Sequence, residues 1–224
     1  MRRSFAFLLA AGIILSARCG FAQTLVAPDE IVIYVHSAVT NADFVEGLVC
    51  ELGRVLVPKV RAAEIDMRFT QADLATPSQL RVETVGPAFD QATAADRGNA
   101  FRYLILPYDL KATGLNYVFS NTFLDGTGVG VVSIIRLMPR DAGLSRKRVS
   151  DVTGDRLYKL MLKSIAVLAG LRTDGCIMKF PRTLQELDDK AAEFCPPDRA
   201  ALVAAGLLKD RPFGACNTVA MAAR

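Results

Sequence analysis

Residues 104–137, LILPYDLKATGLNYVFSNTFLDGTGVGVVSIIRL, decide how the rest of the chain is read. Three apolar runs in or against this stretch have the length and composition of strands: 103–106, 115–120 and 130–137. The DGTG at 125–128 supplies turn residues to join the last two. Its glycines also make GTGVG at 126–130 look like a phosphate loop. Such a loop needs a strand before it and a helix after it, whereas here strands are expected on both sides, so a hairpin turn is the better reading.

Working outward, EIVIYV at 30–35 is a β-branched run and reads as a first strand. Phe44, Val45, Leu48, Val49, Leu52, Val55 and Leu56 follow at helical spacing, with Asn41 as a candidate N-cap and Pro58 as the far limit. A second strand is expected at 64–69. Residues 70–100 mix polar, Pro and Gly signals and read as loop with at most a helical turn. Beyond a basic stretch at 145–148, residues 155–170 form the longest helical pattern. It is apolar nearly all round apart from Lys159 and Lys163 and stops at Gly170, which predicts a buried helix. Strand, helix, strand and a further strand pair predict an α/β protein, a mixed sheet with helices packed on it.

The first residues look like a secretory leader: Arg2 and Arg3, an apolar run from Phe5 to Leu15, then small residues and a cleavage point after Ala22. That run is too short for a membrane span of about 20 residues. Arg18 stands where a small residue would precede a lipidated Cys19, which makes a lipoprotein the weaker reading. The expectation is a signal peptide at 1–22 and one domain at 23–224, periplasmic or secreted and without stable membrane insertion. Removing Arg2, Arg3 and Arg18 from the 27 basic residues leaves them nearly matched with the 23 acidic ones. No basic stripe remains to follow a nucleic-acid backbone, so nucleic acid is not expected as a partner. No signal for an oligomeric state is present. Cys50, Cys176, Cys195 and Cys216 follow the leader, an even set that favours disulfides in an exported protein and allows three connectivities.

The 104–137 stretch resembles the segment of the archaemetzincins in which a strand is followed by LNFVFG-like and VVSLARL-like strands. The resemblance continues into KSIAVLAGLRT at 163–173, DGCIM at 174–178 and FCPPD at 194–198, where the family has HExxHxxGxxH, a CxM element and CPxC. It implies a metzincin-like (zincin-like) domain and, in the family, a zinc peptidase. The two His one turn apart and a third beyond the Gly hold zinc, and the Glu serves as general base to metal-bound water. With Gly170 as anchor, the His positions fall on Lys163, Val167 and Thr173, and the Glu position on Ser164. A cation, a hydrocarbon and two hydroxyls replace three imidazoles and a carboxylate. The resemblance therefore implies a degenerate member with no catalytic residue and no zinc cofactor.

Met178 matches the methionine of the turn beneath the metal, although a methionine filling a core gap would look the same. Cys176 and Cys195 match two of the four cysteines of the family's structural zinc site, while Asp198 stands at the last of them and the remaining one is lost near Asp174. The resemblance brings Cys176 and Cys195 together and implies that they bond to each other; Cys50 and Cys216 are then paired by parity alone, with no matched motif behind them.

The functional expectation is an exported pseudopeptidase that keeps the scaffold and its cleft as a peptide- or protein-binding module, with the strand at 130–137 as the edge onto which a peptide would add. The alternatives are an active metallopeptidase using the sole histidine, His36, with Asp174 or other carboxylates, and a structural envelope protein. His36, at the end of the first strand, is more simply a structural residue. Lys163 and Ser164 are adjacent on a helix, so their side chains would diverge by about 100° and not form a catalytic pair. Asp188, Asp189 and Glu193 are expected on a solvated helix face.

Overall fold

The computed structural model describes residues 24–212 except 41 and 142, together with 214 and 216. The expected leader at 1–22 with its cleavage point, and the candidate cap Asn41, lie outside the described residues. Strand β1 (Glu30–His36) leads into helix α1 (Phe44–Val55), with Asp43 at the N-cap position but making no side-chain cap bond, and then β2 (Lys59–Ile65). Short strands β3 (Leu74–Thr76) and β4 (Gln79–Arg81) precede helix α2 (Val82–Ala92). Next come β5 (Ala100–Leu106), β6 (Asp109–Lys111), β7 (Ser120–Thr122) and β8 (Val129–Ser133). Helices α3 (Arg146–Leu168), α4 (Leu184–Asp188) and α5 (Pro196–Ala204) complete the set.

The main sheet has the order β2-β1-β5-β8-β7, parallel except for β7, and β3-β4-β6 form a second, three-stranded sheet. This is the mixed α/β arrangement expected. Alternation along the central strands builds a core on each face. Ile31, Ile33, Tyr103, Ile105 and Val132 join one core with α1, α3 and α5, whereas Val32, Tyr34, Leu104, Leu106 and Val131 join another with α2 and the small sheet. Gly130 permits the packing of β5 on β8, since a Cβ there would lie 2.2 Å from the Tyr103 ring.

Several expected boundaries move. The second strand lies at 59–65, not 64–69. It begins directly after Pro58 and carries exposed residues alternating with half-buried ones, as an edge strand does, so no apolar run marks it. Of residues 115–120, Leu115 and Asn116 lie in a bend, Val118 makes a single bridge to Leu110, and only Ser120 at the far end enters the ladder. The ladder strand β7 is the polar Ser-Asn-Thr that follows. The third run pairs only as far as Ser133, because the chain then turns through a bond from Leu137 N to Ile134 O. It is also not an edge: β8 lies between β5 and β7.

Residues 70–100 contain helix α2, which sequence reading missed because Gly86 and Pro87 sit inside it. The glycine makes room for a ring: a Cβ on Gly86 would meet Phe123 at 2.0 Å. Helix α3 starts nine residues earlier than expected, its first turn formed from the basic stretch and capped by Ser145, whose side chain accepts from Arg148 N. Its end is the expected one. Gly170 has φ +108°, and the bonds Leu171 N to Ala166 O and Gly170 N to Val167 O close a Schellman motif.

Candidate functional site

Helix α3 presents the motif positions to three neighbours. Ser164 is buried, and its hydroxyl meets Thr122 Oγ1 of β7 at 3.0 Å, which ties the edge strand directly to the helix. Lys163 points elsewhere, with Nζ 5.0 Å from the centre of the Phe180 ring. Burial lowers its ammonium, and the charge of Asp174 works against that shift. Val167 is half-buried against the core. Beyond Gly170, Thr173 Oγ1 donates to Asp198 Oδ2 at 2.9 Å, so the third-histidine position is joined to the position of the family's last cysteine. Met178 is buried in a 3₁₀ turn, Cys176–Met178, and belongs to the core that α3 shares.

Two disulfides hold this region and the C-terminal segment. Cys176 bonds Cys195 at 2.10 Å and Cys50 bonds Cys216 at 2.05 Å. Gly175 lets the first bridge close, since a Cβ there would be 3.2 Å from Cys195 Sγ. Cys176 itself takes a left-handed φ of +47°.

The residues at the motif positions do not fit a zinc ion. An ammonium, a hydrocarbon and a hydroxyl already bonded to a carboxylate offer no set of three ligands of the kind zinc takes. Among the described residues, no group of three His, Cys, Asp or Glu is placed to hold a metal ion. His36 is engaged elsewhere. Its Nδ1 accepts from Ala38 N at 3.0 Å and its Nε2 lies 2.8 Å from Met67 O, so the ring carries its proton on Nε2.

The expected acidic face is not one face. Asp188, at the end of α4, accepts from Arg156 Nε and Nη2, each at 2.6 Å, Asp189 accepts from Gln185, and Glu193 lies beyond the helix, its carbonyl bonded to Ile177 N. Arg156 is buried and needs the counter-charge, which removes Asp188 from any free patch.

Three features escaped sequence reading. Strand β7 exposes an edge: Phe119 and Phe123 exchange bonds with Ser133 and Val129, so the alternating main-chain groups of Ser120 and Thr122 face away from β8. A cleft of about 1220 Å³ opens outside the carboxyl ends of β1 and β2, with His36, Phe69 and Tyr108 packed at its wall. Lys190 is buried with no hydrogen-bond partner for its Nζ among the described residues. Burial, then the charges of Lys163 and Lys159, push its ammonium down to about 7. All three arise from contacts between elements distant in the chain, which the residue pattern of no single segment records.

An α/β sheet with one antiparallel edge strand, a long helix beneath that edge and a methionine turn below the helix define a zinc-peptidase type of fold. A zinc-dependent peptidase from Methanocorpusculum labreanum superposes with a TM-score of 0.63 at 22% identity, covering 77% of this chain and 99% of that one. Archaemetzincin from Methanopyrus kandleri gives 0.61 at 19% identity, covering 79% and 94%. No protein-family profile matches the chain. Archaemetzincin from Halobacterium salinarum is 34% identical over 140 residues, which cover 61% of this chain and 78% of that protein. The chain belongs to the archaemetzincin family.

Proposed function

We propose that this chain is an exported pseudopeptidase of the archaemetzincin family, keeping the scaffold without the catalytic zinc and binding extended peptide or protein segments. The observation that carries this reading is the set of partners found for the motif positions. Lys163 lies against Phe180, Ser164 bonds Thr122, and Thr173 bonds Asp198. A lysine beside the metal position would repel the ion, and a serine is a poor base at neutral pH. His36 and Asp174 are a weak substitute set, because both nitrogens of His36 are already used, one by Ala38 N after β1 and the other by Met67 O after β2.

The binding half of the reading is supported by β7. Its outward Ser120 and Thr122 main chain can pair with an added strand, the mode in which sheet edges recognise extended peptides. Export to the periplasm or beyond is supported by the leader-like residues 1–22 and by two disulfides, which persist in oxidising compartments. Elemental analysis of dialysed protein, run beside hydrolysis of a quenched-peptide library, tests the first half. Sub-stoichiometric zinc and no cleavage are expected. One tightly held zinc per chain with metal-dependent cleavage would replace this reading by that of an active peptidase. An array of extended peptides tests the second half, and an array without a single binder would leave a structural role in the envelope.

A further inference from the structure

The connections that leave β1 and β5, neighbours in the sheet, diverge. Strand β1 passes through α1 to β2 on one side, and β5 leads to β7 and β8 on the other. Helix α1 joins the core on one face, whereas β6, which follows β5, joins the core on the opposite face. Diverging connections leave the carboxyl ends of such strands uncovered, and in open α/β sheets the crevice between them is where ligands bind. The cleft of about 1220 Å³ lies there. Its lining comes from the residues directly after β1, β2 and β5, and from β3 with the turn after it.

Three rings fix the inner wall. His36 and Phe69 stack with centroids 5.7 Å apart and 22° between their planes, and Tyr108 stands across them at 85° and 80°. The bonds of His36 to Ala38 N and Met67 O hold this group against the ends of β1 and β2. Tyr108 is thus kept in one orientation while 39% of its surface stays exposed at the cleft. A part-exposed, immobilised ring is a stacking surface, because its face carries negative potential and attracts C–H groups. At the rim, exposure alternates from residue 61 to 70, so Asp66 and Arg68 lie on one side of the chain. No ion pair joins them among the described residues. Asp66 Oδ1 accepts from Ser37 Oγ at 3.0 Å, which leaves Oδ2 and the Arg68 guanidinium open to a ligand.

The two rim charges cancel, so the lining selects neither an anion such as a phosphate nor a cation. It offers acceptors at Asp66, donors at Arg68, and groups that do both at Gln71, Ser78 and the Tyr108 hydroxyl. The complementary ligand is uncharged, carries many groups that both donate and accept, and has C–H faces to lay on a ring. A saccharide has these properties. The cleft also exceeds the about 300–1,000 Å³ that holds a drug-sized molecule, which leaves room for more than one sugar unit. We propose that this cleft binds a neutral oligosaccharide, stacked on Tyr108 and hydrogen-bonded by Asp66 and Arg68. The sugar is either a free oligomer or a stretch of a polysaccharide, and the same groups would hold both. The proposal is independent of peptide pairing on β7, since β2 and β7 are opposite edges of the sheet.

An array of neutral, amino and acidic oligosaccharides is probed with the full chain, and each glycan bound is then titrated by calorimetry. Neutral oligosaccharides are expected to bind, and monosaccharides more weakly. Y108A should weaken binding by about ten-fold, and Y108F only slightly, because the ring and not its hydroxyl supplies the stacking. D66A and R68A alter exposed positions and leave the fold intact, and each should weaken binding several-fold, while K147M should leave it unchanged. Oligomers methylated at the reducing end that bind as well as free ones assign the ligand to the interior of a polysaccharide. A requirement for the free end assigns it to a free oligomer. The proposal is overturned if no glycan binds, if acidic glycans bind more tightly than neutral ones, or if Y108A, D66A and R68A all bind as the parent does. It is overturned too if phenylalanine, a zwitterion able to bridge Asp66 and Arg68, binds more tightly than any glycan.

Discussion

In an unfolded chain a lysine titrates near about 10.4, whereas burial and the charges of Lys163 and Lys159 push Lys190 down to about 7 in the folded protein. Between those values the unfolded state binds more protons than the native one, so this residue's contribution rises with pH and its full cost is felt below 7. The charged groups facing it are Lys159 and Lys163 on α3, with Asp155 beside the first and Asp174 near the second. Lys190→Met should therefore stabilise the protein most at pH 6 and progressively less toward pH 10, as read by urea unfolding across that range. A gain independent of pH would show that the ammonium is solvated. None of this was legible from sequence, where Lys190 is one more charge in a polar segment. Its burial comes from the packing of α4 on α3, where Leu187 enters the core and Lys159 donates to the carbonyls of Leu187 and Asp188.

Between elements, the largest electrostatic commitment is Arg102 on β5, which is fully buried. Its guanidinium donates to Asp90 Oδ1 at 2.6 Å, Thr93 Oγ1 at 2.9 Å and Thr127 O at 2.8 Å, and so fastens α2 and the β7–β8 turn to the sheet. Asp90→Ala would leave that charge buried without a carboxylate, a change that typically costs roughly 3–5 kcal/mol. Thermal and denaturant unfolding would measure it, and a loss below about 1 kcal/mol would mean that water replaces the carboxylate. Helix α3 makes a different commitment. Leu160 is buried in the core against α1 and the sheet, so Leu160→Ala should cost roughly 2–5 kcal/mol. Leu168 is only half-buried and should cost clearly less, although the apolar pattern at 155–170 gave both the same weight. Equal losses would place Leu168 in the core as well. The same contrast explains which elements were readable. Strands β1 and β5 are buried on both faces and announce themselves as β-branched or apolar runs. Strands β2 and β7 are edges and do not, and α2 was hidden by a Gly-Pro pair whose glycine is there for the Phe123 ring.

Over the whole molecule, the disulfides bear on how a family that elsewhere uses metal can hold its C-terminal part. Cys176 and Cys195 are 19 residues apart, and closing a loop of that size is worth on the order of 3 kcal/mol in the chain-entropy model. Replacing both by Ala should lower unfolding free energy by about that amount, measured against the parent under non-reducing conditions. No change would show that Met178, Ile177 and Phe194, all buried in the α3 core, already fix the turn. The Cys50–Cys216 bridge spans 166 residues and ties the C-terminal segment to α1, the first helix of the fold. Among the described residues no helix is long and apolar enough to cross a membrane.

The sequence by itself determined the α/β class, the buried strands, the course of α1 and the C-terminal end of α3. Each depends on residues near one another in the chain: β-branched runs, helical spacing, and a glycine able to take a positive φ. It also contained the motif positions and the cysteine correspondence, because those are patterns of residue type. Tertiary structure alone decided that β7 and not β8 is the free edge, that Ser164 meets Thr122 and Thr173 meets Asp198, and that Lys190 is sealed beside two other lysines. These facts depend on which distant segments pack together, and a side chain's burial, partner and charge state are properties of that packing.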